Sequence, residues 1–105
     1  MYNTITFKLQ NHFAIIALNR PDKYNAFNQE MATELQSAIR HCEANLELNC
    51  VILTGNGKAF SSGQDISEII DDPDKKIEDI LETYYNPIVT LIRESRLPFI
   101  AMVNG

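Results

Sequence analysis

The feature that most constrains this chain is the stretch of residues 51–70, which reads VILTGNGKAFSSGQDISEII. Its opening run, residues 51–53, is apolar without alternation and predicts a short strand that is buried on both faces. Residues 54–57 (Thr-Gly-Asn-Gly) have the composition of a turn, and residues 61–63 (Ser-Ser-Gly) form a second corner. The stretch therefore predicts a strand, a glycine-containing loop and the N-terminus of a helix.

Asp65 follows this loop and can cap the helix, and Glu68, three residues later, can reach back to complete the cap. Such a corner leaves main-chain N–H groups without helical partners, and these groups favour negative charge nearby.

Two kinds of nucleotide-binding loop are excluded by the sequence of this corner. A phosphate-binding loop needs Gly and Ser or Thr where this chain has Ile52 and Ala59, and the dinucleotide fingerprint needs Gly in place of Phe60.

The composition fits one small globular domain, because the 105 residues are 45% hydrophobic and carry a formal net charge of −5. The acidic balance and the lack of a Lys/Arg stripe argue against a nucleic-acid or membrane-surface binder. No apolar run approaches the roughly 20 residues of a membrane span. The first residues also lack the apolar core of a signal peptide. We therefore expect a cytoplasmic location and neither nucleic-acid nor membrane partners.

Residues that often bind metals are present but poorly spaced for that role. Cys42 and Cys50 form neither a metal-ligand pair nor a C-x-x-C motif, and both are expected as small buried hydrophobic residues in a reducing compartment. His41 has no partner at ligand spacing, and His12, beside a predicted turn, is expected to be exposed. The acidic run 71–74 contains a proline and lacks the glycine of a calcium loop, so it is better explained as a helix start. No metal site is predicted.

The first part of the chain predicts a hairpin followed by a helix. Residues 4–9 alternate apolar and polar side chains, as in a half-buried strand, and residues 13–18 form a continuous apolar strand. Residues 10–11 supply the turn between them. Asn28 is the predicted N-cap of an amphipathic helix that runs to about Leu46.

The last part of the chain predicts a second helix and a final strand. The helix runs from about residue 74 to residue 95, and Pro87 should kink or break it near Tyr84. Residues 99–103 are apolar and predict another buried strand. The expected fold is therefore α/β, with mostly parallel buried strands and two main amphipathic helices. Strands that are apolar on both faces need a second covering layer, so the chain is expected to be the N-terminal part of a larger protein or to be completed by another chain.

Three motifs resemble those of the crotonase (enoyl-CoA hydratase/isomerase) superfamily. Residues 17–27 (ALNRPDKYNAF) resemble the family's first signature, in which Leu-Asn-Arg-Pro precedes Asn-Ala. Residues 51–55 together with 58–66 (KAFSSGQDI) resemble the second, and residues 98–105 (PFIAMVNG) resemble the start of the third. The motifs occur in the family's order and span nearly the whole chain.

This resemblance implies a spiral of ββα units that binds acyl-coenzyme A thioesters and stabilises a thioester enolate with two main-chain N–H groups. One of these groups is that of Gln64, which follows the Ser-Gly corner. The other is implied to come from a glycine beyond Gly105, as are the Glu or Asp residues that transfer protons. Residues 1–105 would then be the N-terminal part of a crotonase-like domain. No cofactor is implied, because coenzyme A belongs to the substrate.

The resemblance also implies the residues that line the substrate site. The main chain around Asn25 resembles the segment that lines the coenzyme A site, although Tyr24 stands where many members have Lys or Arg, and Phe27 stands where Leu is more common. The substrate-binding residues implied are Asn25, Ala26, Phe27, Ser62, Gly63, Gln64, Asp65 and Ile66. The partners implied are an acyl-CoA substrate and either further copies of the chain, as a trimer or hexamer, or the remainder of the same protein.

The leading hypothesis is an enoyl-CoA hydratase or isomerase, with the 105-residue chain alone expected to be inactive. The Ser-Ser-Gly-Gln-Asp corner leans towards the isomerase-type members. One alternative is a non-catalytic interaction module with the same fold. Another is a different reaction of CoA thioesters, such as hydrolysis or dehalogenation, although Ser61 and Ser62 have no visible base partner and are not expected to be nucleophiles. A glycine-rich run followed by Glu or Asp beyond Gly105 would favour the hydratase or isomerase.

Overall fold

The fold is described by a computed structural model, which covers residues 2–65, 79 and 81–104. In these residues, a four-stranded sheet is accompanied by two α-helices, a short 3-10 turn and a short π-helical segment. The strands are β1 (Ile5–Gln10), β2 (Phe13–Leu18), β3 (Cys50–Gly55) and β4 (Phe99–Ala101). The helices are α1 (Gln29–Ala44) and α2 (Asn86–Arg93), the 3-10 turn is Pro21–Lys23 and the π-helical segment is Leu81–Tyr85.

The sheet order is β1-β2-β3-β4, with β1 antiparallel to β2 and the other pairs parallel. The predicted hairpin is confirmed, but its turn lies one residue later than expected. Gln10 still pairs with Phe13, so the turn consists of Asn11 and His12. Asn11 has a positive φ of 56°, a conformation that asparagine tolerates better than most residues. His12 is exposed, as predicted.

Helix α1 begins where the sequence predicts, because the side chain of Asn28 accepts a hydrogen bond from the Met31 N–H at 2.9 Å. It ends at Ala44, however, and the prediction that it continues to Leu46 is wrong. Leu46 is 84% exposed. The helix stops because Asn45 leaves helical geometry, and its side chain accepts a hydrogen bond from the Glu47 N–H at 3.0 Å.

Helix α1 covers one face of the sheet and forms the core with it. It packs on β1, β2 and α2, and its buried side chains follow a helical spacing. These side chains are Met31, Ala32, Leu35, Ala38, Ile39 and Cys42. From the sheet, the core receives Ile5, Ala14, Ile16, Leu18 and Val51. In the described residues, the hydrophobic core lies between this single layer of helices and one face of the sheet.

The opposite sheet face carries apolar side chains as well. Ile15 pairs with Ile52, and Ile52 pairs with Ile100, so these three side chains form a row across the parallel strands. Ile100 is 49% exposed, and β3 is only partly buried on this face. The predicted burial of the last strand is therefore wrong for the described residues, whereas the expected lack of a second covering layer is what they show.

The second helix is irregular where the sequence predicts a break. The π-helical segment Leu81–Tyr85 precedes α2, and Pro87 lies in the first turn of α2. Pro87 has no N–H to donate to the carbonyl of Thr83, four residues earlier. That carbonyl instead accepts a hydrogen bond from the side-chain amide of Gln36 at 3.1 Å. The predicted helix start near residue 74 lies outside the described residues.

In the described part of the chain, no helix has the length and apolar character needed to cross a membrane.

Candidate functional site

The loop after β3 turns sharply, and two glycines are required for it. A side chain at Gly55 would come within 2.6 Å of the Phe60 carbonyl oxygen, so the chain folds back directly over the end of the strand. Gly57 has a φ of 88° and passes close to Pro21 in the preceding loop. The predicted turn after β3 is confirmed, and it lies against the loop that follows β2.

Asn25 joins these two loops. Its side chain is fully buried, and its amide nitrogen donates to the carbonyl oxygens of Asn56 and Ala59 at 2.9 and 2.7 Å. Its amide oxygen accepts a hydrogen bond from the Arg20 N–H at 2.6 Å. The structure therefore places Asn25 beneath the candidate site as a residue that fixes both loops, with its side chain turned away from solvent.

Arg20 makes a second connection between the loops. Its guanidinium donates to the Ala26 carbonyl at 2.6 Å and to the Asp65 carboxylate at 3.0 Å. The Arg20 and Asp65 side chains are only 17% and 16% exposed, so the ion pair is largely shielded from water. The sequence analysis assigns Asp65 to a helix cap shared with Glu68. The structure shows an ion pair between this carboxylate and Arg20. Glu68 and Ile66 lie outside the described residues, so the shared cap stays a prediction.

The peptide between Gly63 and Gln64 has a defined orientation. The Phe27 N–H donates to the Gly63 carbonyl at 2.7 Å, and the Asp65 N–H donates to the Phe27 carbonyl at 2.7 Å. This is a parallel bridge between Phe27 and Gln64. Because the peptide is trans, the Gln64 N–H points opposite to the Gly63 carbonyl and therefore away from Phe27. Gly63 itself has a φ of 101°.

The side chain of Gln64 contacts a residue far along the chain. Its amide oxygen accepts a hydrogen bond from the Tyr85 hydroxyl at 2.7 Å. The Tyr85 ring also lies against the Phe27 ring, with 5.4 Å between ring centroids. Tyr85 is not among the site residues that the sequence predicts. Its only signal in the sequence is its place just before Pro87, where a helix irregularity is expected.

The two serines of the corner use their hydroxyl groups within the loops. Ser61 donates to the Asn25 carbonyl at 2.9 Å and accepts from the Gly63 N–H at 3.2 Å. Ser62 donates to the Lys23 carbonyl at 3.4 Å, and its N–H donates to the Tyr24 carbonyl at 2.9 Å. These contacts hold the predicted binding segments around residues 25–27 and 62–65 side by side.

The third motif returns to the same loop. The side chain of Asn104 donates to the carbonyl oxygens of Gly55 and Gly57 at 3.0 and 3.1 Å. Its main-chain carbonyl accepts a hydrogen bond from the Phe60 N–H at 2.7 Å. The three motifs, which are widely separated in the sequence, therefore meet at one end of the parallel strands, where ligands bind in many α/β sheets.

The remaining candidate ligand residues lie elsewhere. His41 is exposed and contacts the Phe7 ring edge-on. Within the ranges that the structure covers, no group of three or more His, Cys, Asp or Glu side chains could hold a metal ion. Both cysteines have free thiols, and Cys42 is buried as predicted, whereas Cys50 is half-buried. Burial raises the pKa of the Cys42 thiol to about 11, and the nearby charge of Glu43 adds to the shift.

Comparison with known sequences identifies the family. The profile of the enoyl-CoA hydratase/isomerase family matches residues 8–105. A relative from Rhodobacter capsulatus, named a probable enoyl-CoA hydratase, is 36% identical over 104 residues that cover 99% of this chain and 39% of the relative. The 1,2-epoxyphenylacetyl-CoA isomerase of Escherichia coli is 36% identical over 93 residues, which cover 86% of this chain and 36% of that enzyme.

Solved structures agree with this result. An enoyl-CoA hydratase/isomerase from Xanthobacter autotrophicus superposes with a TM-score of 0.90 at 31% identity, covering all of this chain and 40% of that protein. A protein from Legionella pneumophila, named a putative enoyl-CoA hydratase/isomerase (crotonase), superposes with a TM-score of 0.87 at 27% identity, covering 97% of this chain and 40% of that protein. The chain thus spans about 40% of the length of these relatives. With its three motifs, its mixed sheet and its matching sequence profile, this chain belongs to the enoyl-CoA hydratase/isomerase family and has the crotonase fold.

Proposed function

We propose that the complete protein acts on acyl-CoA thioesters as a hydratase or isomerase, and that the Gln64 N–H is one of two donors that stabilise a thioester enolate. The observation that carries this proposal is the orientation of the peptide between Gly63 and Gln64. Its carbonyl is engaged by Phe27 at 2.7 Å, which directs the Gln64 N–H to the other side. A donor held in this way is preorganised for an oxygen that gains negative charge.

The proposed chemistry requires strong stabilisation of that charge. Removal of a proton next to a thioester carbonyl, or addition of water to the conjugated double bond, places negative charge on the carbonyl oxygen. A fixed N–H donor at this oxygen contributes about 3–4 kcal/mol in the transition state. Since a main-chain N–H performs this role, the identity of the side chain at position 64 is not decisive for the reaction.

The second donor in this proposal is a glycine N–H just after the third motif. Asn104 is tied to the carbonyls of Gly55 and Gly57, so the chain that follows it continues from beside the same loop. This proximity supports convergence of the two donors on one oxygen. The proton-transferring Glu or Asp is proposed to come from the same later part of the complete protein, and its position distinguishes a hydratase from an isomerase.

The substrate would lie along the segments that the corner holds together. Ala26, Phe27, Ser62 and Gly63 are proposed to contact the acyl-CoA through main-chain groups or small side chains, because they flank the Gln64 N–H. Asn25 and Asp65 contribute by fixing the loops, since their side chains bond to protein groups. Ile66 is proposed as a binding residue on the basis of the family resemblance alone.

The experiment compares two substitutions at position 64 in the complete gene product. Gln64→Ala keeps the N–H and should retain turnover of crotonyl-CoA within about tenfold, which corresponds to about 1.4 kcal/mol of barrier. Gln64→Pro removes the N–H and should lower turnover by about a hundredfold or more. The bonds between Phe27 and its two partners, the Gly63 carbonyl and the Asp65 N–H, need no N–H from residue 64, so the proline variant can keep this bridge.

Proline also restricts Gly63, so circular dichroism and coenzyme A binding must show that the variant is folded. A folded, ligand-binding proline variant without turnover, beside an active alanine variant, supports the proposal. Equal damage by both substitutions would assign the role to the side chain. Full activity of both variants would remove the corner from the enolate site.

A further inference from the structure

Tyr85, Gln64 and Phe27 contact one another pairwise. Phe27 and Gln64 are joined by the main-chain bridge, Tyr85 bonds to the Gln64 side chain at 2.7 Å, and the Tyr85 and Phe27 rings are 5.4 Å apart. Tyr85 is the last residue of the π-helical segment, directly before α2. A residue 21 positions away from Gln64 thus contacts both partners of the bridge that orients the Gln64 peptide.

Packing against neighbouring atoms does little to restrain the main chain at Gly63. A side-chain carbon at Gly63 would meet no atom within 4 Å, and glycine adopts many main-chain conformations. The hydrogen bond from Phe27 to the Gly63 carbonyl fixes one end of the peptide dipole. Rotation of the peptide about that bond would move Gln64, and the contact with Tyr85 opposes this movement.

We propose that Tyr85 is a positioning residue for the Gln64 N–H, acting through its hydroxyl bond to the Gln64 side chain and its ring contact with Phe27. The inference rests on the proposed role of this N–H in stabilising the enolate. Tyr85 does not touch the reacting atoms in this mechanism. It limits the orientations of the donor, so its loss should affect the transition state more than ground-state binding of the thioester.

The test uses Tyr85→Phe in the complete gene product, because phenylalanine keeps the ring against Phe27 and removes only the hydroxyl. We expect kcat for crotonyl-CoA to fall about fivefold, the size expected for one neutral hydrogen bond, with KM unchanged within about twofold. Gln64→Leu should lower kcat by a similar factor. The double variant should be no slower than Gln64→Leu alone, since that substitution already removes the bond to the Tyr85 hydroxyl.

Tyr2→Phe is the matched control. The Tyr2 hydroxyl also makes one neutral hydrogen bond, to the Ser37 hydroxyl at 3.2 Å, but lies away from the corner. This control variant should keep the wild-type kcat and KM. If Tyr85→Phe behaves in the same way as Tyr2→Phe, or if its effect adds fully to that of Gln64→Leu, the positioning role is wrong.

A spectroscopic measurement separates this inference from the proposed function. Butyryl-CoA is a saturated thioester that binds without being hydrated, and its carbonyl stretching frequency falls when N–H donors polarise the bond. Wild-type protein should lower this frequency, and Tyr85→Phe should reverse part of the change. No shift in wild-type protein would refute the enolate proposal itself. If Tyr85→Phe lowers the carbonyl stretching frequency as far as wild-type protein does, the positioning role is refuted and the enolate proposal is not. If turnover is nevertheless lost in that variant, Tyr85 is a catalytic residue instead.

Discussion

Arg20 and Asp65 form an ion pair at 3.0 Å that joins the loop after β2 to the corner after β3. The same guanidinium also donates to the Ala26 carbonyl at 2.6 Å, so one side chain binds both segments that flank the Gln64 N–H. The planar fork of arginine suits this double contact, because it presents several donors in a fixed geometry. The ion pair therefore has a direct influence on the geometry of the candidate site.

Arg20→Met should lower the free energy of unfolding by about 2–4 kcal/mol, because it leaves a shielded carboxylate without its partner and a carbonyl without its donor. Arg20→Lys is the matched control, since it keeps the charge but lacks the fork. We expect the lysine variant to recover less than half of the loss. Urea denaturation of the complete gene product, monitored by circular dichroism, measures the free energy of unfolding of both variants. Equal stability of wild-type protein and Arg20→Met would show that the pair is not structural.

Asn25→Ala should be among the most destabilising single substitutions in the loops. It leaves the part-buried carbonyls of Asn56 and Ala59 and the N–H of Arg20 without their Asn25 partners, with an expected cost of about 2–5 kcal/mol. Thermal unfolding measures the effect.

Two further variants separate the side chain of Asn25 from its main-chain conformation. Asn25 has a φ of 56°, so Asn25→Gly accommodates this conformation and should still lose the three side-chain bonds. Its neighbour Tyr24 also has a positive φ of 51° but is 57% exposed, so Tyr24→Asn should leave stability unchanged or raise it by up to about 1 kcal/mol. A glycine variant of residue 25 as stable as wild-type protein would show that the bonds contribute nothing.

The sequence predicts well those features that depend on neighbouring residues. The N-cap at Asn28, the apolar strand β2 and the turn after β3 follow from local composition and spacing, and the structure confirms them. The family motifs also identify the segments around Gln64 that meet in space. These features are predictable because each is specified within a few residues of the chain.

Long-range partners are not predictable in the same way. Arg20 and Asp65 are 45 residues apart, and nothing in the local pattern links either residue to the other. The Tyr85 contact with Gln64 depends on how a π-helical segment orients one side chain, which periodicity does not reveal. The exposure of Ile100 depends on which elements cover the sheet, so an apolar strand pattern alone wrongly predicts its burial.

Glu34 makes the stability of the first strand dependent on pH. Its carboxylate accepts hydrogen bonds from the N–H groups of Asn3 and Thr4 and from the Thr4 hydroxyl, at distances of 2.7–3.0 Å. Burial raises the pKa of Glu34, but hydrogen bonds from Asn3, Thr4 and Ile5 outweigh this effect and hold the pKa below its usual value of 4.5. The stabilisation is present above the usual pKa and is lost as the pH falls through the lowered pKa.

Glu34→Gln should therefore lower the free energy of unfolding at neutral pH by about 1 kcal/mol, since the glutamine keeps one acceptor but loses the charge. The difference from wild-type protein should shrink as the pH falls below the usual glutamate pKa. Urea denaturation at a series of pH values measures this convergence. Glu47 is exposed, so Glu47→Gln serves as the control and should change the free energy of unfolding little at any pH. A difference that persists unchanged in acid would contradict the role of the ionised carboxylate.

The sheet face that carries Ile15, Ile52 and Ile100 should make the 105-residue chain self-associate when it is expressed alone. Ile100 is 49% exposed, and Met102 and Val103, directly after β4, are 56% and 72% exposed. Within the described residues, β4 is also the last strand of the sheet, so its outer edge offers unpaired main-chain groups. Exposed apolar surface beside an open strand edge favours association between chains.

Ile100→Glu should reduce this association, because it places a charge at the exposed end of the row, on the edge strand. Val89→Glu is the matched control, since Val89 is 50% exposed but lies on α2. Static light scattering of the 105-residue chain over a range of concentrations gives the average mass of each variant. We expect the mass to fall towards that of the monomer for Ile100→Glu and to stay near the wild-type value for Val89→Glu. A wild-type chain that is monomeric and unfolds cooperatively would show that this sheet face needs no cover.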